Sequence, residues 1–292
     1  MSLILHFDDE ATLAAGLARE LGWPAAPVRC HRFPDGELKL TLPTGLPPRV
    51  VLLRSLHQPN EKLVQLMLSA PAARDLGVRH LTLVAPYLAY MRQDMAFSPG
   101  EVVSQRHLGA ALAAWFDAVV TVDPHLHRVA TMGEVVPGGR GLAVSAAALI
   151  GDFVARQVAG ALLLGPDEEA GQWVRVAAAA HGLDHGVCHK ARHGDREVDV
   201  TRPSVPLRGR HVVLIDDVAS TGRTLVSAAR AALALGATQV DVAVTHALFV
   251  GDALAQVQAA GVGRVWSTDS VPHASSVIPL APLLAAALRG LA

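Results

Sequence analysis

The chain has 292 residues, with 25 Lys and Arg against 26 Asp and Glu, a formal charge of −1; 51% of it is hydrophobic and 17% charged. This excludes a disordered or collagen-like chain, which needs far fewer apolar residues or far more Gly and Pro, and argues against a nucleic-acid coat, which shows a basic excess. Two cysteines, Cys30 and Cys188, stand far apart without C-x-x-C spacing. They support neither a disulfide framework nor a thiolate zinc site, and read as small buried residues in a reducing cytoplasm. The opening MSLILHFDDE turns acidic after a short apolar stretch, and no apolar run approaches the ~18 to 20 residues that span a bilayer, so a soluble, unexported protein with no membrane contact is expected. The length allows two domains or one large one.

In chain order, short β-branched and Leu-rich runs alternate with longer Ala/Leu-rich stretches of helical period, which is the α/β pattern. Residues 49–56 (RVVLLRSL), 80–88 (HLTLVAPYL) and 117–125 (DAVVTVDPH) read as strands buried on both faces, hence parallel. Between the first two lies a helix whose apolar positions Leu63, Leu66, Met67 and Ala70 follow the 3.6-residue period. Asn60 is placed to cap it and Pro71 to kink or interrupt it. A second helix is expected near 104–116, with Leu108, Leu112 and Trp115 on one face. The second half repeats this grammar: strands over 161–164, 186–189, 211–216, 240–245 and 263–267, helices near 170–181, 224–235 and 252–260, and an apolar helix from 280 onward. Two similar α/β domains are expected, 1–140 and 141–280, divided near the Gly-rich PGGRG, with helix 281–292 packing back on the first. In each half one strand runs into a polar loop, AYMRQD or DVASTGRT, at the carboxyl edge where open parallel sheets hold ligands.

The sharpest local signal is VVLIDDVASTGRT at 212–224. A buried strand delivers Asp216 and Asp217, then Ser220, Thr221, Gly222, Arg223 and Thr224 open onto a helix. Such a loop aims backbone N–H groups, hydroxyls and the positive helix end at one point, which suits a phosphate monoester. Adjacent carboxylates beside a phosphate need vicinal hydroxyls or a cation, so a sugar phosphate such as ribose 5-phosphate is the natural ligand. The plainer alternative for S-T-G-R-T alone is a strand-turn-helix with a Ser/Thr N-cap.

Strand-Asp-Asp followed by Thr-Gly-x-Thr resembles the phosphoribosyl diphosphate (PRPP) loop of type I phosphoribosyltransferases. Three further segments resemble the ribose-phosphate pyrophosphokinases within that group: Phe33-Pro34-Asp35-Gly36-Glu37, Pro59-Asn60 before a Leu-rich helix, and Pro86-Tyr87-x-x-Tyr90-x-Arg92-Gln93-Asp94. The similarity continues through Asp123-Pro124-His125, Pro166-Asp167, Lys190-Ala191-Arg192 and Thr245-His246, in the family's order. The resemblance implies two type I phosphoribosyltransferase-like domains, ATP-side first and ribose-5-phosphate-side second, and transfer of the β,γ-diphosphoryl group of ATP to the anomeric hydroxyl of ribose 5-phosphate, giving PRPP and AMP. Such a transfer needs charge neutralisation and positioning more than covalent chemistry.

Arg92 and Gln93 suit phosphate oxygens and the polar atoms of ribose or adenine; a solvated turn is the alternative. Phe33, Asp35 and Glu37 alternate, so on an extended segment they share one face, a ring beside carboxylates; a surface hairpin with a D-G turn is the alternative. Gly36 belongs to this ATP-binding segment, which in the family reaches a neighbouring subunit's ATP, so a homo-oligomer is implied. By resemblance, His125 and Asp167 associate with Mg²⁺, the implied cofactor; a carboxylate is the expected hard ligand, and His125 acts through water or on phosphate. Lys190 and Arg192 are implied as the catalytic pair on a mobile loop closing over ATP, Arg192 also serving ribose 5-phosphate. His127 beside His125 reads as incidental. His181, His185, His189 and His193 recur every four residues, but Gly182, Gly186 and Gly194 break the register and argue against a zinc site. Ser220 and Arg223 stand where many family members have Asp and Gly, the Glu168-Glu169 run departs from a Gly-rich turn, and residues 95–104 resemble the shorter archaeal-like branch. The alternatives are a PRPP-consuming phosphoribosyltransferase and a non-catalytic regulatory homologue.

Overall fold

The computed structural model describes residues 2–126, 128–138, 140–193 and 197–291, with 190–193 and 197–202 described by their backbone alone. Two compact units divide the chain: residues 1–144 with 279–292, and residues 145–278.

The first unit begins β1 (Ser2–His6), α1 (Ala11–Leu21), β2 (Ala25–Pro27), β3 (Arg29–Arg32), β4 (Leu38–Thr41), β5 (Arg49–Leu53) and α2 (Pro59–Asp75), and continues through β6 (His80–Ala85), α3 (Ser104–Trp115), β7 (Ala118–Val122), α4 (Met132–Val135) and β8 (Gly141–Val144). Its six-stranded sheet is parallel throughout in the order β2-β1-β5-β6-β7-β8, while β3 and β4 form a separate antiparallel hairpin. The strand order reverses between β1 and β5. Because both faces are covered, the central strands are continuously apolar: Leu52, Leu83 and Val119 are buried with Leu66 of α2 and Leu112 of α3. Each such side chain stabilises the fold by about 1.5–3 kcal/mol relative to exposure.

The second unit contains α5 (Ala147–Gln157), β9 (Leu162–Gly165), α6 (Gly171–Ala179), β10 (His185–His193), β11 (Glu197–Pro203), β12 (His211–Ala219), α7 (Arg223–Ala234), β13 (Gln239–Ala247), α8 (Ala253–Ala259), β14 (Val262–Thr268) and β15 (Ser276–Ile278). The order is β11-β10-β9-β12-β13-β14-β15, antiparallel at β10/β11 and parallel elsewhere. Here the order reverses between β9 and β12. The chain then rejoins the first unit as α9 (Ala281–Gly290), which lies so close to α1 that a Cβ on Gly16 would stand 3.0 Å from that of Ala281.

Several details differ from the sequence expectation. Strand β8 belongs to the first sheet, so the division falls after Val144 rather than after residue 140. Asn60 does not cap α2: Gln58, with φ of 51°, precedes it, Pro59 occupies the first turn, and the Asn60 carboxamide accepts from the Tyr90 hydroxyl. Helix α2 runs uninterrupted past Pro71, which lies exposed, where the missing backbone bond leaves a carbonyl that water can reach. Cys188 is buried but Cys30 is exposed, because its short strand β3 lies outside both main sheets.

Candidate active site

In the second unit, β12 stays buried through Ile215 and carries Asp216 and Asp217 at its carboxyl end, the strand running on to Ala219. Gly222 then turns with φ of 72° and stands as N-cap of α7, with no side chain closing the helix end, so neither Ser220 nor Thr221 caps it. A Cβ at Gly222 would lie 3.0 Å from Val257 and 3.3 Å from the Ala253 carbonyl, both on α8, so backbone geometry and space both require glycine. The first turn of α7 therefore keeps its N–H groups and positive end available to an anion, flanked by Ser220, Thr221, Arg223 and Thr224.

Asp167 follows the neighbouring strand β9 and its carboxylate accepts from the N–H groups of Glu169 (3.1 Å) and Ala170 (3.3 Å). Burial, then the charges of Asp217 and Asp167, raise the Asp216 carboxyl well above its ordinary range. Burial, and after it the charge of Asp167, pushes the Cys188 thiol up to about 12. These carboxylates gather at the strand-order reversal of the sheet, where open α/β sheets bind ligands. The oxygen-only donor set fits ribose hydroxyls or a hard dication such as Mg²⁺. Among the described residues no three His, Cys, Asp or Glu side chains form a metal-binding group.

Lys190 and Arg192 lie on β10 rather than on a loop after it: Lys190 pairs with Thr201 and Ala191 with Val200 of β11, and the register shifts between Ala191 and His193. Their side chains lie outside the described residues, as do His127 and Gly194. Of the histidine series, His181 contacts Asp152 (2.6 Å), His189 contacts Glu168 (2.6 Å) and His185 contacts the Leu183 carbonyl (3.4 Å), three different partners, while the His193 side chain lies outside the described residues.

In the first unit the segment 33–37 is the turn of the β3–β4 hairpin, not an extended strand. The Phe33 N–H donates to the Glu37 carbonyl and the Gly36 N–H to the Phe33 carbonyl (2.9 Å each), with Gly36 at φ of 96° and the Asp35 carboxylate accepting from the Glu37 N–H (3.2 Å). The D-G turn chemistry overrides the alternation, and Phe33, Asp35 and Glu37 are all exposed. After β6, Tyr90 takes φ of 62°, Met91 is buried, Arg92 is exposed, and the Gln93 amide donates to the Met95 carbonyl (3.3 Å). Asp94 is no solvated residue: its side chain is fully buried, paired with Arg128 at 2.7 Å, and so joins this loop to the one after β7. That loop holds His125, half-buried, just beyond Asp123, which is buried with φ of 36°; strain of this kind concentrates at functional edges.

No pattern in the sequence announces the buried ionic cluster at the carboxyl ends of β1 and β5. Arg54 Nη1 donates to both carboxylate oxygens of Glu10 (2.9 Å each) and to Asp9, Nη2 donates to Gln65, and the guanidinium lies 4.3 Å from the centroid of Phe7. Glu10 also accepts the Ser55 N–H (2.9 Å), while Lys62 donates to Asp9 and to the Ser55 carbonyl (2.9 Å each) and stands 3.1 Å from the His57 ring. Burial outweighs the Arg54 charge and pushes Glu10 up to about 7. Burial, reinforced by Lys62, pulls His57 down to about 4, so its ring is neutral and can accept from the ammonium. These residues come from three separated segments, and no spacing rule links them.

Comparison with known proteins follows the same division. The sequence matches the family model described as the N-terminal domain of ribose phosphate pyrophosphokinase over residues 2–115, and the phosphoribosyl transferase domain model over residues 165–256. It is 36% identical to the ribose-phosphate pyrophosphokinase of Methanopyrus kandleri over 99% of both chains. It is 32% identical to that of Thermococcus kodakarensis over 96% of this chain and 95% of the relative. The fold is similar to the crystal structure of phosphoribosylpyrophosphate synthetase from Mycobacterium smegmatis, with a TM-score of 0.84 and 22% identity over 99% of this chain and 98% of that one.

Proposed function

The chain belongs to the ribose-phosphate pyrophosphokinase family and forms PRPP, and we propose that it does so by passing the β,γ-diphosphoryl group of ATP to the anomeric hydroxyl of ribose 5-phosphate, releasing AMP. The observation that carries this reading over a PRPP-consuming transferase is the first unit. The loop at 216–224 is all that favours a phosphoribosyltransferase, whereas residues 2–115 match the pyrophosphokinase N-terminal domain.

In this reading the first turn of α7, with Ser220, Thr221, Gly222, Arg223 and Thr224, holds the 5-phosphate, and Asp216 and Asp217 accept from the ribose hydroxyls. Arg92 and Gln93 grip the nucleotide. Lys190 and Arg192 neutralise charge that builds up on the transferring group, a role that depends on placement rather than on bond making. Asp167 is the residue to hold Mg²⁺, with His125 acting through water; bound with ATP, the ion neutralises phosphate oxygens. Phe33, Asp35, Gly36 and Glu37 serve the nucleotide of a neighbouring subunit in a homo-oligomer, a role that the exposure of the hairpin turn supports. No helix among the described residues is long and apolar enough to cross a membrane, in keeping with a cytoplasmic enzyme of nucleotide biosynthesis.

Incubation with ATP, ribose 5-phosphate and Mg²⁺ is expected to release AMP and PRPP in equal amounts; ADP in place of AMP, or a requirement for PRPP and a base, would refute the assignment. Mixing an inactive Phe33→Ala protein with an inactive Lys190→Ala protein is expected to restore part of the activity, and no recovery in mixed oligomers would count against completion by a neighbour.

A further inference from the structure

The two sheets place their strand-order reversals at matching positions, and the register makes the match residue by residue. In the second unit β12 pairs with β9, Leu214 opposite Leu164, and Asp216 and Asp217 follow two and three residues later. In the first, β5 pairs with β1, Leu52 opposite Leu5, and Arg54 and Ser55 follow at the same offsets. The sequences agree as well, HVVLIDD against RVVLLRS. Where the second unit presents acids to a ligand, the first presents an arginine that is already neutralised from within: side-chain exposure is 5% for Arg54, 2% for Glu10 and 9% for Lys62. Two cations, Arg54 and Lys62, face two acids, Asp9 and Glu10, so the crevice carries its own counter-charges.

The same cluster reaches both segments read as the nucleotide side. Lys62 and Gln65 lie on one face of the first turns of α2; the Gln65 amide contacts Cys30 Sγ (3.8 Å), and Glu61, beside them, is ion-paired with Arg32 of the hairpin. Asn60, on the same turn, accepts from Tyr90, two residues before Arg92. Ser55, whose N–H is held by Glu10, accepts the Tyr87 N–H on its hydroxyl (3.3 Å), and the Leu56 N–H donates to the Tyr87 carbonyl (2.8 Å).

We infer that the first unit's strand-reversal crevice is closed by its own ion pairs and serves as the anchor that places the β3–β4 hairpin and the 86–94 loop for the nucleotide, with Arg54 and Lys62 as positioning residues. The inference rests on reading those two segments as the ATP side. Nothing in the cluster touches the reacting atoms; its effect passes through α2 and Ser55, so disturbing it displaces ATP-binding groups and leaves the ribose phosphate loop alone.

The test uses the full-length protein with Arg54→Met, the double variant Arg54→Met with Glu10→Gln, and Arg54→Lys. The single Met variant leaves a buried carboxylate uncompensated and risks unfolding, which is why the double variant, removing both charges together, is measured beside it. The folded double variant is expected to raise KM for ATP about tenfold or more while KM for ribose 5-phosphate stays within about twofold, since a shift of about an ångström in a positioning element is enough for such a loss. Arg54→Lys is expected to recover part of the ATP affinity. An unchanged KM for ATP in the folded double variant, or equal rises in both constants, would overturn the inference. Failure of the wild type to release AMP would instead overturn the reading on which it rests, and that result is read on the unmodified protein.

Discussion

The carboxyl edges of the two sheets match in strand register and differ in the side chains they carry. At the β9/β12 reversal, Asp167, Asp216 and Asp217 gather beside a helix end that no side chain caps, and burial with the two neighbouring acids raises the Asp216 carboxyl well above its ordinary range. At the β1/β5 reversal, the corresponding strand is followed by Arg54, whose charge is met within the protein by Asp9 and Glu10, with Lys62 beside them. On the proposed reading the edge that gathers acids is the substrate site, and the edge whose charges pair among themselves is the scaffold.

The most severe way to break this contrast is to give the first unit the acid of the second. Arg54→Asp would bury a third carboxylate against Asp9 and Glu10 with Lys62 alone to offset them, and is expected to destabilise the protein by about 3–5 kcal/mol, read as a collapse of the chemical unfolding midpoint. The reciprocal change at the ligand edge is milder for the fold and specific for substrate. On the proposed reading Asp216→Asn weakens an acceptor for a ribose hydroxyl, a hydrogen bond worth about 0.5–1.5 kcal/mol, so KM for ribose 5-phosphate is expected to rise by about 2- to 10-fold with thermal stability kept or raised, because the carboxyl it replaces is held off its charged form by burial and its acidic neighbours. A matching loss of ATP affinity would show that the edges are not separate.

The smallest effects concern pH. Glu10, raised from its ordinary 4.5 to about 7, binds its proton more tightly folded than unfolded, so its contribution to stability is present at low pH and is lost as pH rises from about 4.5 to about 7. His57, lowered from 6.5 to about 4, has the opposite sign: the unfolded state binds the proton more tightly, and stability is lost as pH falls from about 6.5 to about 4. The two slopes oppose each other in the wild type. Relative to it, Glu10→Gln is expected to gain melting temperature toward neutral pH and His57→Asn toward acid pH, each by a few °C at most. Parallel slopes in the two variants would show that burial does not govern these groups.

How far the sequence discloses these two edges follows from how each is built. The ribose phosphate edge is contiguous: an apolar strand, two acids, a glycine turn and a helix, each with its own local signature, so VVLIDDVASTGRT reads as chemistry from its residues alone. The scaffold edge joins residues 9, 10, 54, 57, 62 and 65, which meet only when β1, β5 and α2 pack together, and a charged residue at a strand end carries no mark of its distant partner. Most strands and helices from β5 onward are legible from their apolar runs, whereas β1, α1, β8 and α5 are not among the elements expected from the sequence, and β2, β3, β4, β11 and β15 are short or outside the buried interior and leave no such trace. The segment 33–37 carries both signals in its sequence, a period-2 alternation and an Asp35-Gly36 turn pair, and the hairpin turn that the pair suggests is what forms.

The division of labour is tested most directly by one paired measurement: the Michaelis constants for ATP and for ribose 5-phosphate in Asp216→Asn and in the Arg54→Met, Glu10→Gln double variant. The account predicts a crossed result, with the first variant losing ribose 5-phosphate affinity alone and the second losing ATP affinity alone. Both constants rising together in either folded variant would contradict it.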